Sequence, residues 1–312
     1  MRKKRRAIWL GVTVVLLILL YAMLPEKLFL SPYSTVVYGK NDALLGARIA
    51  SDGQWRFPPE TDVPEMYTKA VLAFEDKNFY HHPGIDPFAI ARAFWVNVKA
   101  GRIKQGGSTI TMQVVRMALE NQPRTYFQKA KELLLAVRVE VAFSKKEISA
   151  MYAAHAPFGG NVVGLEAAAW RYFARPSNQL SVAEYALLAV LPNAPTAMHP
   201  GKNTNNLRAK RDNLLLKLLR NGEIDSVQYS LSVLEELPEK PQALPNLAPH
   251  VTQWANQQQK GKRVKTTINA DVQRQLNGVL YRHYLRLKNN GVHNAAMLVA
   301  DVETGEIVAY IG

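Results

Sequence analysis

The first 24 residues constrain this chain more than any other feature. Residues 7–24 carry no charge and are rich in Leu, Val and Ile, and residues 2–6 are all Lys or Arg. A run of about 17 to 25 apolar residues is long enough to cross a bilayer as a helix. A cleaved signal peptide has a small-residue cleavage site, which residues 21–27 lack. We therefore favour an uncleaved anchor over a cleaved signal or a buried helix, with a cytoplasmic amino terminus.

The rest of the chain has the composition of a globular protein, with 48% hydrophobic and 21% charged residues overall. The formal net charge of +14 favours an anionic partner. Because the predicted orientation places the body outside the cytoplasm, nucleic acid is not expected as that partner. The absence of cysteine excludes disulfides, zinc–thiolate sites and thiol catalysis.

Local signals divide the chain into segments. Alternating apolar residues between tight turns predict short strands before residue 64, and helix-capping signals predict helices from there to residue 237. Asp86 and Pro87 predict a helix that ends at Gly101, and Ser144 and Ser181 each begin a capping-box pattern. The predicted segments are a basic tail (1–6), an anchor (7–24), a β spacer (25–63), a mainly α domain (64–237), a Pro-rich linker (238–262) and the incomplete start of an α+β domain (263–312).

A first cluster of polar residues lies near residue 75. On a helix, Glu75, Phe79 and His82 would fall at i, i+4 and i+7 and share one face that can line a cleft. The alternative is an ordinary solvated helix end. The neighbouring His81 and His82 would point to different sides of a helix, which argues against a metal site.

Two further clusters follow. Ser108 and Thr109 come after two glycines at the predicted start of a helix, where free N–H groups suit a phosphate, although a simple N-cap needs no ligand. Lys129, Glu132 and Glu140 can share one helical stripe, and a salt-bridged surface is the alternative for them.

In order and spacing, the three clusters resemble the motifs of the family-51 peptidoglycan glycosyltransferases, the lysozyme-like domain of class A penicillin-binding proteins. Residues 153–168 and 180–195 resemble the fourth and fifth motifs, and residues 111–113 and 156–161 are most similar to 1C-type members. Residues 264–269 and 296–312 resemble the opening of the transpeptidase domain, whose Ser-x-x-Lys motif is absent, so no transpeptidase activity is expected.

The resemblance implies a reaction and the residues that perform it. Lipid II would be polymerised into glycan with inversion at the donor's anomeric carbon and release of undecaprenyl pyrophosphate. Glu75 matches the general base, and Glu132 matches a second essential glutamate near the pyrophosphate. A second carboxylate close by, together with burial, would raise the pKa of the base. The expected substrate-binding positions are Asp76, Phe79, His82, Ser108, Thr109, Gln113, Arg116 and Lys129.

Two positions depart from the family pattern. Arg116 stands where Lys is common, and Gln128 stands where Arg is usual, so that Arg124 or Lys131 would have to supply the missing charge. No cofactor or metal is obligatory, and a divalent cation such as Mg or Mn that bridges the pyrophosphate is compatible with the motifs.

The expected partners are lipid II, the growing lipid-linked glycan, the membrane and other cell-wall synthesis proteins. The expected location is the bacterial cytoplasmic membrane, with the catalytic domain on its outer side. Core packing is favoured over membrane contact for residues 93–95 and 114–115. A lysozyme-like glycan hydrolase and a non-catalytic cell-wall scaffold are the alternative functions.

Overall fold

The computed structural model describes residues 28–102, 106–120, 122, 125–193 and 200–312. The predicted basic tail and anchor lie outside these residues. Within the described ranges, no helix is both long enough and apolar enough to cross a bilayer.

The described chain is mainly helical, as predicted. The helices are α1 (Glu65–Glu75), α2 (Pro87–Ala100), α3 (Ile110–Ala118), α4 (Tyr126–Ala142), α5 (Lys145–His155), α6 (Leu165–Phe173), α7 (Val182–Val190), α8 (Thr204–Arg220), α9 (Ser226–Leu234), α10 (Pro249–Gln258) and α11 (Ala270–Leu287). The strands are β1 (Thr35–Tyr38), β2 (Leu44–Arg48), β3 (Trp55–Arg56), β4 (Pro157–Gly159), β5 (Val162–Val163), β6 (Arg263–Lys265), β7 (Met297–Ala300) and β8 (Ile307–Ile311).

The capping signals in the sequence mark the helix ends correctly. The Asp86 side chain caps α2 by accepting a hydrogen bond from the Ala89 N–H at 2.9 Å, and Gly101 ends the helix at φ +61°. Ser144 and Ser181 form complete capping boxes at the starts of α5 and α7. These boundaries depend on contacts three or four residues apart, which is why the sequence predicts them.

Helix α7 lies at the centre of the core. Its residues from Ala183 to Val190 are all buried, and it packs against α1 and α8. Helix α3 in turn packs against α4 and α5. Because α7 is covered by other elements, its sequence has no polar face to meet solvent. Helix α1, which ends at Glu75, is therefore held in place by packing against a buried helix.

Two predicted segment boundaries look different in three dimensions. Val36, Tyr38 and Leu44 of the predicted β spacer belong to the same hydrophobic core as the helices. Strand β1 pairs antiparallel with β2 and parallel with β6, and β3 pairs with β5. The predicted linker contains α10, whose Ala255 is buried beneath this sheet's strands. Strand pairing therefore connects the predicted β spacer to strands that lie far along the sequence, which local composition does not show.

The apolar residues at 93–95 and 114–115 divide into two groups. Ala93, Val114 and Val115 are buried, as predicted. The prediction of core packing is wrong for Phe94 and Trp95, which are 68% and 70% exposed. They lie on the side of α2 that no other described element covers.

Candidate active site

Glu75 is the last residue of α1, and neighbouring helices hold it. Its Oε2 atom accepts a hydrogen bond of 2.8 Å from Nε2 of Gln113, while its Oε1 atom is buried and accepts no hydrogen bond of standard geometry among the described residues. The Lys217 ammonium of α8 donates a hydrogen bond to the Ala73 carbonyl in the last turn of α1. This cation satisfies a carbonyl that the helix end leaves free and interacts favourably with the helix dipole.

The environment of Glu75 favours a carboxyl that can take up a proton. Burial raises the pKa of Glu75, and this effect exceeds the lowering by the Gln113 hydrogen bond, the Arg116 charge, the Asn193 amide and the Lys210 charge. A base whose pKa is moved toward neutral pH is better matched to proton transfer than an exposed carboxylate.

Two buried tyrosines lie close enough to feel the charge of Glu75. Burial, and then the Glu75 charge, raises the pKa of both Tyr67 and Tyr152. Both phenols therefore stay neutral at physiological pH, and neither hydroxyl has a hydrogen-bond partner among the described residues. These two phenols are therefore uncharged neighbours of the carboxyl.

Asp76 turns away from Glu75 and binds another part of the site. Its carboxylate oxygens lie 3.0 and 3.1 Å from Nε2 of His82, and its Oδ2 atom accepts a 3.0 Å hydrogen bond from the Ile110 N–H. Ile110 is the first residue of α3, where a negative charge is stabilised by the free N–H groups and the dipole. Asp76 therefore joins the end of α1 to the start of α3, and the raised pKa of Glu75 comes from burial.

The predicted helical face of Glu75, Phe79 and His82 is wrong. The helix ends at Glu75, Asp76 has φ −155°, and His82 is extended. Phe79 begins a short 3-10 turn and is fully buried, with the Lys145 ammonium 4.4 Å from its ring centroid. The Asp76 carboxylate binds the first N–H of α3, and the backbone leaves the α1 helix at this residue. His82 is also buried, so both rings lie in the supporting layer under the site.

Thr109 fastens the start of α3. Its side-chain oxygen accepts a 3.2 Å hydrogen bond from the Met112 N–H, and its hydroxyl donates to the Gly84 carbonyl at 2.6 Å. Gly84 has φ +85°, and a Cβ there would lie 2.7 Å from the Ala136 carbonyl oxygen, so only glycine fits. Thr109 is buried and acts as an N-cap, the structural alternative that the sequence left open.

Ser108, Lys129 and Glu132 meet at the same end of α3. The Lys129 ammonium lies 2.9 Å from the Ser108 hydroxyl and 3.1 Å from a carboxylate oxygen of Glu132. The Glu132 side chain is 8% exposed, whereas that of Lys129 is 42% exposed. The pair therefore presents a cation to solvent and keeps the carboxylate behind it.

Helix α3 connects the two glutamates. Ser108, just before the helix, contacts the Lys129–Glu132 pair, and Gln113 holds Glu75. From Thr109 to Gln113 is about one helical turn, or roughly 6 Å along the axis. Arg116, half-buried one turn further, adds its charge near Glu75.

A buried ion pair supports this helix. The Glu140 carboxylate, on α4, accepts hydrogen bonds from the Thr111 hydroxyl at 2.5 Å and the Lys145 ammonium at 2.8 Å. Lys145 also donates to the His82 carbonyl at 2.8 Å. Glu140, grouped with Glu132 by its spacing, is therefore a structural anchor of α3.

Of the two positions that depart from the family pattern, Arg116 lies on α3 and Gln128 lies near the start of α4. Gln128 donates its backbone N–H to the Thr125 hydroxyl oxygen, the N-cap of that helix, at 3.1 Å. Gln128 and Lys131 are both half-buried, and Arg124 lies outside the described residues. Whether either cation supplies the missing charge remains a prediction.

Asn193, Lys210, Tyr67 and Tyr152 were not identified from the sequence. Tyr67 lies on α1 itself, about two turns before Glu75, whereas the other three come near Glu75 only through the tertiary fold, and no local spacing marks them. Among the described residues, no group of three or more His, Asp or Glu side chains is arranged to hold a metal ion.

Comparisons with known proteins identify the family of this chain. A family model described as Transglycosylase matches residues 44–219, more than half of the chain. Penicillin-binding protein 1C of Escherichia coli (strain K12) is 33% identical over 99% of this chain and 40% of that protein. Penicillin-binding protein 1A of Aquifex aeolicus (strain VF5) is 39% identical over 75% of this chain and 32% of that protein.

A third relative is shorter. The putative transglycosylase of Cupriavidus necator is 38% identical over 63% of this chain and 83% of that protein. The chain spans less than half the length of the two penicillin-binding proteins. The resemblance seen in the sequence is confirmed: the chain belongs to the Transglycosylase family and contains a glycosyltransferase domain like that of class A penicillin-binding proteins.

Proposed function

We propose that the chain is a peptidoglycan glycosyltransferase that polymerises lipid II. The observation that carries this proposal is the buried Glu75 carboxylate, held by Gln113 on the helix that also reaches the Lys129–Glu132 pair. A base from α1 and a cation from α4 are thereby both positioned by α3 and the residue before it, as a group transfer from a diphosphate requires.

In the proposed reaction, Glu75 removes the proton from the 4-hydroxyl of the acceptor sugar. The freed oxygen attacks the anomeric carbon of the donor, the bond from that carbon to the pyrophosphate breaks, and the configuration inverts. Gln113 holds one carboxylate oxygen, which leaves the unpaired Oε1 atom to take the proton. General-base catalysis of this kind contributes about 10²- to 10⁴-fold in rate.

Cations near α3 are proposed to stabilise the departing undecaprenyl pyrophosphate. The Lys129 ammonium is accessible, and the Ser108 hydroxyl and Glu132 carboxylate fix its position before the substrate binds. Arg116 offers a second positive charge on α3. Preorganised charges aimed at a developing anion cost no rearrangement during the reaction. A divalent cation, where one takes part, would take its ligands mainly from the diphosphate.

We also propose that the domain works against the outer surface of the cytoplasmic membrane, where the predicted anchor would hold it. Helix α2 supports this proposal, because Phe88, Phe94, Trp95 and Val98 are each at least 60% exposed. An exposed row of aromatic and aliphatic side chains on one helix is suited to the interface of a bilayer. Lipid II and the growing glycan are the proposed partners there, and other cell-wall proteins remain expected.

The test is incubation of the detergent-solubilised protein with lipid II, followed by sizing of the glycan. Longer strands support polymerisation. Shortened glycan from purified sacculi, without polymerisation, would instead indicate a hydrolase. We expect Glu75→Gln to lower the rate about 100-fold or more. Glu65→Gln, on the same helix with an 82% exposed side chain, is the matched control and should retain full activity.

The Glu75→Gln variant also distinguishes catalysis from a scaffold role. Because burial raises the pKa of Glu75, the ionised carboxyl does not stabilise the fold, and the amide should not lower the melting temperature. Normal cell-wall function and normal polymerisation in this variant would contradict the proposal and favour a scaffold.

A further inference from the structure

A lysine that lies after the last of the family motifs in the sequence is near Glu75 in the folded chain. Lys210 lies on α8 and is half-buried. Its ammonium donates a 3.0 Å hydrogen bond to Oδ1 of Asn193, at the end of the 3-10 turn Leu191–Asn193 that follows α7. The amide oxygen of Asn193 therefore accepts a hydrogen bond from the lysine, and the two N–H groups of the same amide remain available as donors.

The pair acts on the carboxyl of Glu75. The Asn193 amide and the Lys210 charge both lower the pKa of Glu75, in opposition to burial. The effect is reciprocal: burial lowers the pKa of Lys210, and the Glu75 charge raises it. The packing of the two helices agrees with this, because α8 packs directly against α1 and its Lys217 donates a hydrogen bond to the Ala73 carbonyl in the last turn of α1. Lys210 lies two turns before Lys217, so both lysines share the face of α8 that meets α1.

The other charged or titratable groups that face Glu75 come from α1 itself and from two further helices. Arg116 on α3 is a second cation, and Tyr67 on α1 and Tyr152 on α5 are neutral phenols. Burial among neutral groups alone would favour a protonated carboxyl, which cannot act as a base. A charge that opposes burial is therefore needed.

We propose that Lys210 is a positioning residue of the active site, which orients the Asn193 amide toward Glu75 and favours the ionised form of that carboxyl. Lys210 acts through Asn193 and through its charge, and it does not touch the reacting atoms. The effect on catalysis rests on the proposed function, whereas the effect on the ionisation of Glu75 does not.

The experiment measures that ionisation directly. The protein is labelled with ¹³C at the glutamate side-chain carboxyl, and the Glu75 signal, assigned by its loss in Glu75→Gln, is followed against pH in detergent. We expect Lys210→Met to move the Glu75 midpoint to higher pH and Lys210→Arg to restore most of it. Arg208→Met, an exposed position on the same helix, is the control and should leave the midpoint unchanged.

The rate of polymerisation gives the second readout. At a pH below the Glu75 midpoint, each pH unit by which the midpoint rises lowers the ionised fraction of the base tenfold. In Lys210→Met, kcat/KM should therefore fall at least about threefold more at low pH than on the alkaline plateau, where the base is fully ionised. An unshifted Glu75 midpoint in a folded Lys210→Met protein overturns this inference. A shifted midpoint in a protein without polymerase activity would leave the inference standing and refute the proposed function.

A second variant covers the case in which Lys210→Met does not fold. Asn193→Leu removes the amide at an exposed residue and leaves the lysine in place. We expect the Glu75 midpoint to rise in this variant also. A midpoint equal to that of the wild type would show that the amide does not act on the carboxyl.

Discussion

Replacement of Asp76 by alanine should destabilise the fold more than loss of an ordinary helix cap. The carboxylate binds two buried donors, His82 Nε2 at 3.0 Å and the Ile110 N–H at 3.0 Å. A hydrogen bond to a charged group contributes about 1.5 to 3 kcal/mol. A charge at a helix amino terminus adds about 0.3 to 1 kcal/mol.

The two hydrogen bonds share one carboxylate, so their contributions are not fully additive. We therefore expect Asp76→Ala to lower the free energy of unfolding by about 3 to 4 kcal/mol, a large part of the 5 to 15 kcal/mol typical of a domain. Asp76→Asn keeps an acceptor for one of the two donors and should cost about half as much.

The assay is urea unfolding of the detergent-solubilised protein, in which a lower midpoint with an unchanged slope reports lost stability. Asp225, an exposed N-cap on α9, supplies the matched control, and Asp225→Ala should cost only about 1 kcal/mol. If Asp76→Ala cost no more than this control, the role of Asp76 as the link between α1 and α3 would be refuted.

Three further predictions concern other parts of the molecule. Lys129→Met should lower the polymerisation rate from lipid II about 100-fold, because it removes a charge aimed at the leaving group, whereas Lys146→Met, on α5 with a 77% exposed side chain, should change it little. Burial, followed by the Arg56 charge, lowers the pKa of His155 to about 3, so the folded state binds fewer protons than the unfolded state between about pH 6.5 and 3, and stability falls as pH falls through that range. His155→Phe keeps the ring and should flatten this part of the pH–stability curve, measured by urea unfolding; an unchanged curve would contradict the assignment. Brominated lipids should quench the fluorescence of Trp95 in vesicles, measured as the signal lost in Trp95→Phe, and equal quenching in Trp95→Phe and the wild type would count against membrane contact.

The sequence by itself determined the features that depend on near neighbours. Three helices start where the sequence predicts, because the side chains of Asp86, Ser144 and Ser181 each accept a hydrogen bond from the backbone N–H three residues later. The order and spacing of the motifs likewise predicted the family. Among the candidate residues, the sequence also placed Ser108, Lys129 and Glu132 in clusters that the fold brings together.

Only the tertiary structure decided what surrounds Glu75. Spacing predicted a helical face with Phe79 and His82, but the chain leaves the helix because Asp76 binds the start of α3. Lys210 reaches the site from α8, a helix that is far from α1 in the sequence but packs against it in the fold. Burial by packed helices also sets the direction of the pKa shift of Glu75. Hydrogen bonds between distant segments and exclusion of water arise only when the chain is folded, so no local pattern in the sequence encodes them.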